Sequence, residues 1–130
     1  MSGTLVLDSE GLSKTVLRER AMMARLAQAH LDGLRVVTSA ATLVEARNPQ
    51  MDQARFDWAV SRLIIEPVTE PIARAASKLL VTNGLHGHEH AIDAMVAATA
   101  LAAAAPRIVL TSGPGDLTRL CGKSVHVVRI

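Results

Sequence analysis

The apolar positions of this chain switch repeatedly between two periods. Thr4–Leu7 is a short continuous apolar run ending at Asp8, the pattern of a buried strand. Leu12, Val16, Met23, Leu26 and His30 then recur at helical spacing, predicting a helix that Gly33 stops. Leu34–Thr38 predicts the next strand, and Ser39 is placed to cap a helix carrying Leu43, Val44 and Glu45, closed by Pro49. Asp52 is placed to cap a further helix, where Phe56, Ala59, Val60 and Leu63 fall at i, i+3, i+4 and i+7. Leu63–Val68 reads as a strand, and Pro67, lacking an N–H, assigns it to a sheet edge. Thr69 caps a helix with Ile72, Ala75, Ala76, Leu79 and Leu80 on one face, ended by Asn83-Gly84.

The polar, His-rich segment Leu85–His90 reads as a loop, and the Ala-rich Ala91–Ala104 as a helix ended by Pro106. Arg107–Thr111 is a buried strand, Ser112–Gly115 a turn, Asp116–Cys121 a short helix and Ser124–Ile130 a final strand. Strands alternate with helices throughout, which implies βαβ units. The expectation is an α/β fold: a three-layer sandwich with a central parallel sheet flanked by helices, one domain over residues 1–130.

Composition sharpens this. One Phe, one Trp and no Tyr leave Val, Leu, Ile, Met and many Ala to fill the interior, so helices should pack closely. The net charge of +2 does not require a nucleic-acid partner. The single cysteine, Cys121, excludes an internal disulfide, fits a reducing compartment and lies in an apolar run, where a buried thiol is expected. The N-terminus lacks the pattern of a signal peptide. The longest apolar stretch, Ala91–Ala105, is too short to span a bilayer and contains Asp93. A soluble, cytoplasmic protein without a membrane partner is expected.

Candidate chemistry lies where open α/β sheets bind ligands, beyond the carboxyl ends of the strands. Asp8 follows the first strand, Glu45 lies within two turns of the second, Asp93 begins the helix feeding the fourth, and Asp116 follows the fourth. Each has an ordinary explanation: Asp8 and Asp116 as N-caps, Glu45 and Asp93 as acids near helix N-termini. Asp93 is the least ordinary, a lone acid flanked by alanines on a helix otherwise apolar. Jointly the four positions can converge on one edge of the sheet. Carboxylates brought that close repel without a counter-ion, and oxygen-only ligands suit Mg²⁺ or Mn²⁺. One or two such ions can activate water for phosphodiester cleavage with no covalent enzyme intermediate.

These residues resemble the PIN-domain family, and within it the small VapC-type toxins. The resemblance spans nearly the whole chain. It rests on the opening strand with Asp8, on Glu45 within Ser39–Ala46, on Ala91-Ile92-Asp93-Ala94 running into Ala97-Ala98-Thr99, and on the turn Leu110–Leu117. It implies a metal-dependent endoribonuclease, the toxin of a type II toxin–antitoxin pair, with RNA as substrate, an antitoxin as partner and a homodimeric state. By resemblance Asp8, Glu45 and Asp93 are metal ligands, and Asp116 is the fourth acid or supports the others. The chain departs from the family at Gly113, where an acid is frequent; Asp116 would then supply the charge. The alternative is a PIN-like module impaired at Gly113 that binds or assembles without cleaving.

Other signals are weaker. His86-Gly87-His88-Glu89-His90 invites a zinc reading, but no second His or Cys cluster is present to complete a tetrahedron. His90 and Asp93 lie one turn apart and can touch. Gly122-Lys123-Ser124 imitates the end of a phosphate loop, yet Leu117 stands where the first glycine belongs. Gly113-Pro114-Gly115 at a helix start could cradle an anion, which leaves room for a flavodoxin-like nucleotide binder. Arg47 and Arg119 are candidate contacts for an RNA backbone.

Overall fold

A computed structural model describes residues 3–130; the reading of the extreme N-terminus lies partly outside them. The strands are β1 (Thr4–Leu7), β2 (Arg35–Ser39), β3 (Ile64–Glu66), β4 (Arg107–Thr111) and β5 (His126–Arg129). Between them run helices α1 (Ser9–Val16), α2 (Arg20–Leu31), α3 (Ala40–Ala46), α4 (Gln53–Ser61), α5 (Glu70–Thr82), α6 (Gly87–Ala102) and α7 (Pro114–Cys121). All five strands run parallel in one sheet of order β3-β2-β1-β4-β5. This is the three-layer arrangement with a central parallel sheet that the alternation of strands and helices predicted.

Parallel strands covered on both faces read as unbroken apolar runs, and central β1 is buried at every position. Its register sends Val6, with Val37 and Val109, toward a cluster formed with Val96, Ala97 and Ala100 of α6 and Leu117 and Leu120 of α7. Leu5 and Leu7 point the other way, onto Met22, Leu26 and Ala29 of α2. A third cluster joins Leu12 and Val16 of α1 to Ala46 of α3 and Ala59 of α4. The expected close helix packing is found where α5 meets α6 through Ala76, Ala94 and Ala98. Cys121 is buried as expected, and burial pushes its thiol pKa up to about 11.

Four predicted caps form: Asp8 accepts from the amide of Gly11, Ser39 from Ala41, Asp52 from Arg55 and Thr69 from Ile72. The edge assignment also holds, since β3 flanks the sheet and Pro67 falls just after it, outside the ladder. The helix predicted across Leu12–His30 is instead two. At Arg18 the backbone turns left-handed (φ 52°), the amide of Glu19 bonds to the Lys14 carbonyl and that of Arg18 to the Thr15 carbonyl. The same two-bond closure ends α2 at Gly33 and α5 at Gly84, where glycine takes the positive φ without strain. At Arg18 the guanidinium lies 4.1 Å from the Trp58 ring centroid, an attraction that offsets part of the backbone cost.

The segment Leu85–His90 also differs from expectation. Helix α6 already starts at Gly87, and the expected loop survives as a kink at His90 (φ −121°, ψ 15°). Helix α7 starts at Pro114, so Asp116 sits inside its first turn and the N-cap position falls to Gly113. Among the described residues no helix is long and apolar enough to cross a membrane.

Candidate metal centre

The carboxyl ends of β1, β2 and β4 open onto a cleft of about 360 Å³ lined by Asp8, Glu10, Glu45, Asp93 and Asp116, together with Ser9, Ser13, Thr111, Ser112 and Gly113. All four predicted acids therefore reach one place. Neither Lys nor Arg lines it.

Asp8 is 9% exposed and serves as both N-cap and cleft wall. Its Oδ1 accepts the Gly11 amide at 2.8 Å, while the backbone of Asp8 is anchored by its own amide to the Leu110 carbonyl. Burial raises its pKa; the Thr111 hydroxyl and the Gly11 and Glu10 amides pull it back down. Glu45 projects from α3, whose base is fixed by a buried hydroxyl pair. Thr38 donates to the Leu7 carbonyl at 2.7 Å and lies 2.6 Å from the Thr42 hydroxyl, so β1, β2 and α3 are tied together. The Ser9 hydroxyl donates to Glu45 Oε1 across the cleft.

Asp93 is half-buried one turn past the His90 kink. Desolvation raises its pKa, and the charges of Glu45, Asp116 and Asp8 raise it further, with His90 opposing. Each of the other three predicted acids is thus close enough to act on it. Asp116, from α7, lies 3.5 Å through Oδ2 from His90 Nδ1. His90, Asp93 and Asp116 each offer one ligand atom within 4.8 Å of the others.

Some participants were not anticipated. Glu10 adds a fifth carboxylate and also raises the pKa of Asp8. Its signal was available in the run Asp8-Ser9-Glu10 at a helix start, and Ser13 lies one turn beyond Ser9. Thr38 and Thr42 carried no such signal, because only the fold reveals which carbonyl a buried hydroxyl finds. The two arginines named for RNA contact are engaged elsewhere. Arg47 donates to the Asn48 and Met51 carbonyls and to Gln53, and Arg119 donates to the Asn83 carbonyl.

No protein-family model matches the chain, and no curated protein matches it either. Among solved structures the fold is shared with a chain in the crystal structure of VapBC2 from Rickettsia felis bound to a DNA fragment from their promoter. The two superpose with a TM-score of 0.71 over 98% of each chain, at 14% sequence identity.

Proposed function

We propose that this protein is a metal-dependent endoribonuclease of the PIN type, acting as the toxin of a toxin–antitoxin pair. The observation that carries this reading is a cleft at the carboxyl edge of the sheet with five carboxylates and no lysine or arginine among its lining residues. Such a set repels itself: beyond the desolvation that raises the pKa of Asp93 most, the charges of Glu45, Asp116 and Asp8 raise it further, and a divalent cation relieves the repulsion. The donors are carboxylate and hydroxyl oxygens, which fit Mg²⁺ or Mn²⁺. Asp8, Glu45, Asp93 and Asp116 would hold the ion. When bound, a dication of this kind activates water and offsets the charge that builds on a phosphodiester undergoing hydrolysis.

The chain's own residues then divide the remaining work. The Gly11 amide and the Thr111 hydroxyl favour the charged form of Asp8 against its burial, and the Gly11 bond orients it. Ser9 holds Glu45 facing the cleft. The Thr111 hydroxyl also accepts the Gly113 amide at 3.0 Å, shaping a turn that leaves the side of the cleft beside β4 open to an RNA phosphate. An antitoxin partner is supported by the shared fold, since the neighbouring structure is of a VapBC2 complex. A homodimeric state and a cytoplasmic location belong to the same reading.

A second reading draws on Gly113. It lines the cleft with no side chain, and a Cβ built there meets nothing within 4 Å. A missing acid at that point would leave a module that binds partners without cleaving. The test is a pool of structured and single-stranded RNA incubated with the protein in Mg²⁺, Mn²⁺ or EDTA. Fragments that appear only with metal support the nuclease; intact RNA under all three conditions supports the module.

A further inference from the structure

Three histidines crowd the start of α6, but only one turns inward. His86 and His88 are exposed, whereas the side chain of His90 is 19% exposed and faces the carboxylates. The kink at His90 takes this residue out of helical geometry and sets its ring between two acids. Nδ1 lies 3.5 Å from Oδ2 of Asp116, which lines the cleft, and Nε2 lies 3.7 Å from Oε2 of Glu89, which does not.

That bracketing has a chemical direction. A histidine that binds a metal through one ring nitrogen characteristically presents its other N–H to a carboxylate, which fixes the tautomer and leaves the lone pair facing the ion. Glu89 lies 3.7 Å from Nε2, beyond hydrogen-bond length, so a small side-chain movement would bring it into that part. One ring nitrogen of His90 shares a space with a carboxylate oxygen of Asp93, three residues on along the same helix, and one of Asp116 from α7, all within 4.8 Å. An ion about 2.1 Å from each of two opposed ligands spans about 4.2 Å, so a small side-chain rotation closes any remaining gap.

We propose that His90 is a metal ligand, and that the triad His90–Asp93–Asp116 makes this centre select a first-row transition-metal dication over Mg²⁺. The inference rests on the reading that the carboxylate cleft holds a dication, and adds which one. Mg²⁺ takes oxygen ligands and gives up its waters reluctantly. Imidazole nitrogen strengthens binding along the first transition series and does little for Mg²⁺. The zinc reading of the histidine run lacked a second cluster of ligands in sequence; Asp93 and Asp116 provide one in space, with oxygen in place of sulfur or nitrogen.

The test uses the full chain, stripped with EDTA, with Mn²⁺ as the probe. Pulsed electron paramagnetic resonance on the Mn²⁺-loaded wild type should show nitrogen hyperfine coupling from a coordinated imidazole. Calorimetric titration should give Mn²⁺ affinity at least about tenfold above that for Mg²⁺. In His90→Gln the coupling should vanish and Mn²⁺ affinity fall about 10–100-fold, while Mg²⁺ affinity moves by less than about threefold. Mn²⁺ bound to wild type without nitrogen coupling overturns the inference and leaves the carboxylate centre standing. Should wild type bind neither ion, the centre and the inference fall together. The spectrum of the wild type needs no variant, so a His90→Gln protein that misfolds does not block the decision.

Discussion

Asp93→Asn removes one charge from the carboxylate cluster with almost no change in shape, so its effect on stability reads the electrostatics directly. The ligand oxygens of Asp93 and Asp116 lie within 4.8 Å of each other. At that separation two like charges repel by about 3.5 kcal/mol at an effective dielectric of 20 and by about 0.9 kcal/mol in bulk water. Asp116 is 44% exposed, which favours the weaker limit. Glu45 and Asp8 add repulsion, and His90 subtracts some. Among the described residues no hydrogen bond lowers the pKa of Asp93, so the amide forfeits little. The metal-free variant should therefore be more stable than wild type at neutral pH by about 1–2 kcal/mol, a rise of about 3–8 °C in Tm. The sign of the pH dependence follows from the raised pKa. A carboxyl whose pKa is higher folded than unfolded stabilises the fold while protonated, below its ordinary value of 3.8, and that contribution is lost as pH rises through the folded pKa. The advantage of the variant should thus shrink as pH falls toward 4. Metal inverts the order, because an ion at a hundred times its Kd adds about 2.7 kcal/mol to wild type and much less to the variant. Differential scanning fluorimetry at pH 4 and 7.5, with EDTA or Mn²⁺, measures all four cases. A variant that melts below wild type without metal at pH 7.5, or an equal metal-induced shift in both proteins, would refute this reasoning.

Gly113→Asp should raise Mn²⁺ affinity about tenfold by adding a carboxylate to the cleft, since the site has room for a side chain and an ordinary backbone φ of −120°; unchanged affinity in calorimetry would show that the turn points the new acid elsewhere. Ala98→Leu forces a larger side chain into the α5–α6 contact, where Ala98 is 2% exposed, and should cost about 1–3 kcal/mol in urea unfolding. Ser39→Ala removes the cap of the helix that carries Glu45 and should cost about 0.5–2 kcal/mol by the same assay. Cys121, with its thiol pushed up to about 11, should resist a disulfide reagent at pH 8 in the folded protein and react at once in denaturant; fast labelling of the native protein would contradict its burial.

Most of the fold was legible because each level of the sequence pointed the same way. Apolar runs marked the buried strands, Ser39, Asp52 and Thr69 marked helix starts, Gly33 and Gly84 marked stops, and Pro67 marked an edge. The break at Arg18 was not legible, since its closure uses a positive φ on a residue with no local sign of one and depends on Trp58, forty residues away. The start of α6 was hidden by composition: a Gly-His-Glu-His run reads as polar loop, yet the amides of Glu89 and His90 both close onto the His86 carbonyl. Convergence of Asp8, Glu45, Asp93 and Asp116 could be argued from strand order alone. Which side chains orient them could not, because the Thr38–Thr42 pair, the Ser9–Glu45 bond and the inward turn of His90 each join segments that the sequence keeps apart or leaves undirected.

Nuclease activity at the carboxylate cleft is decided by RNA cleavage with wild type and folded Asp93→Asn protein, purified in parallel, in Mn²⁺ and in EDTA. Wild type should give metal-dependent fragments, and the variant should leave the RNA intact. Identical traces from the two proteins, whether cut or intact, would contradict a nuclease at that cleft.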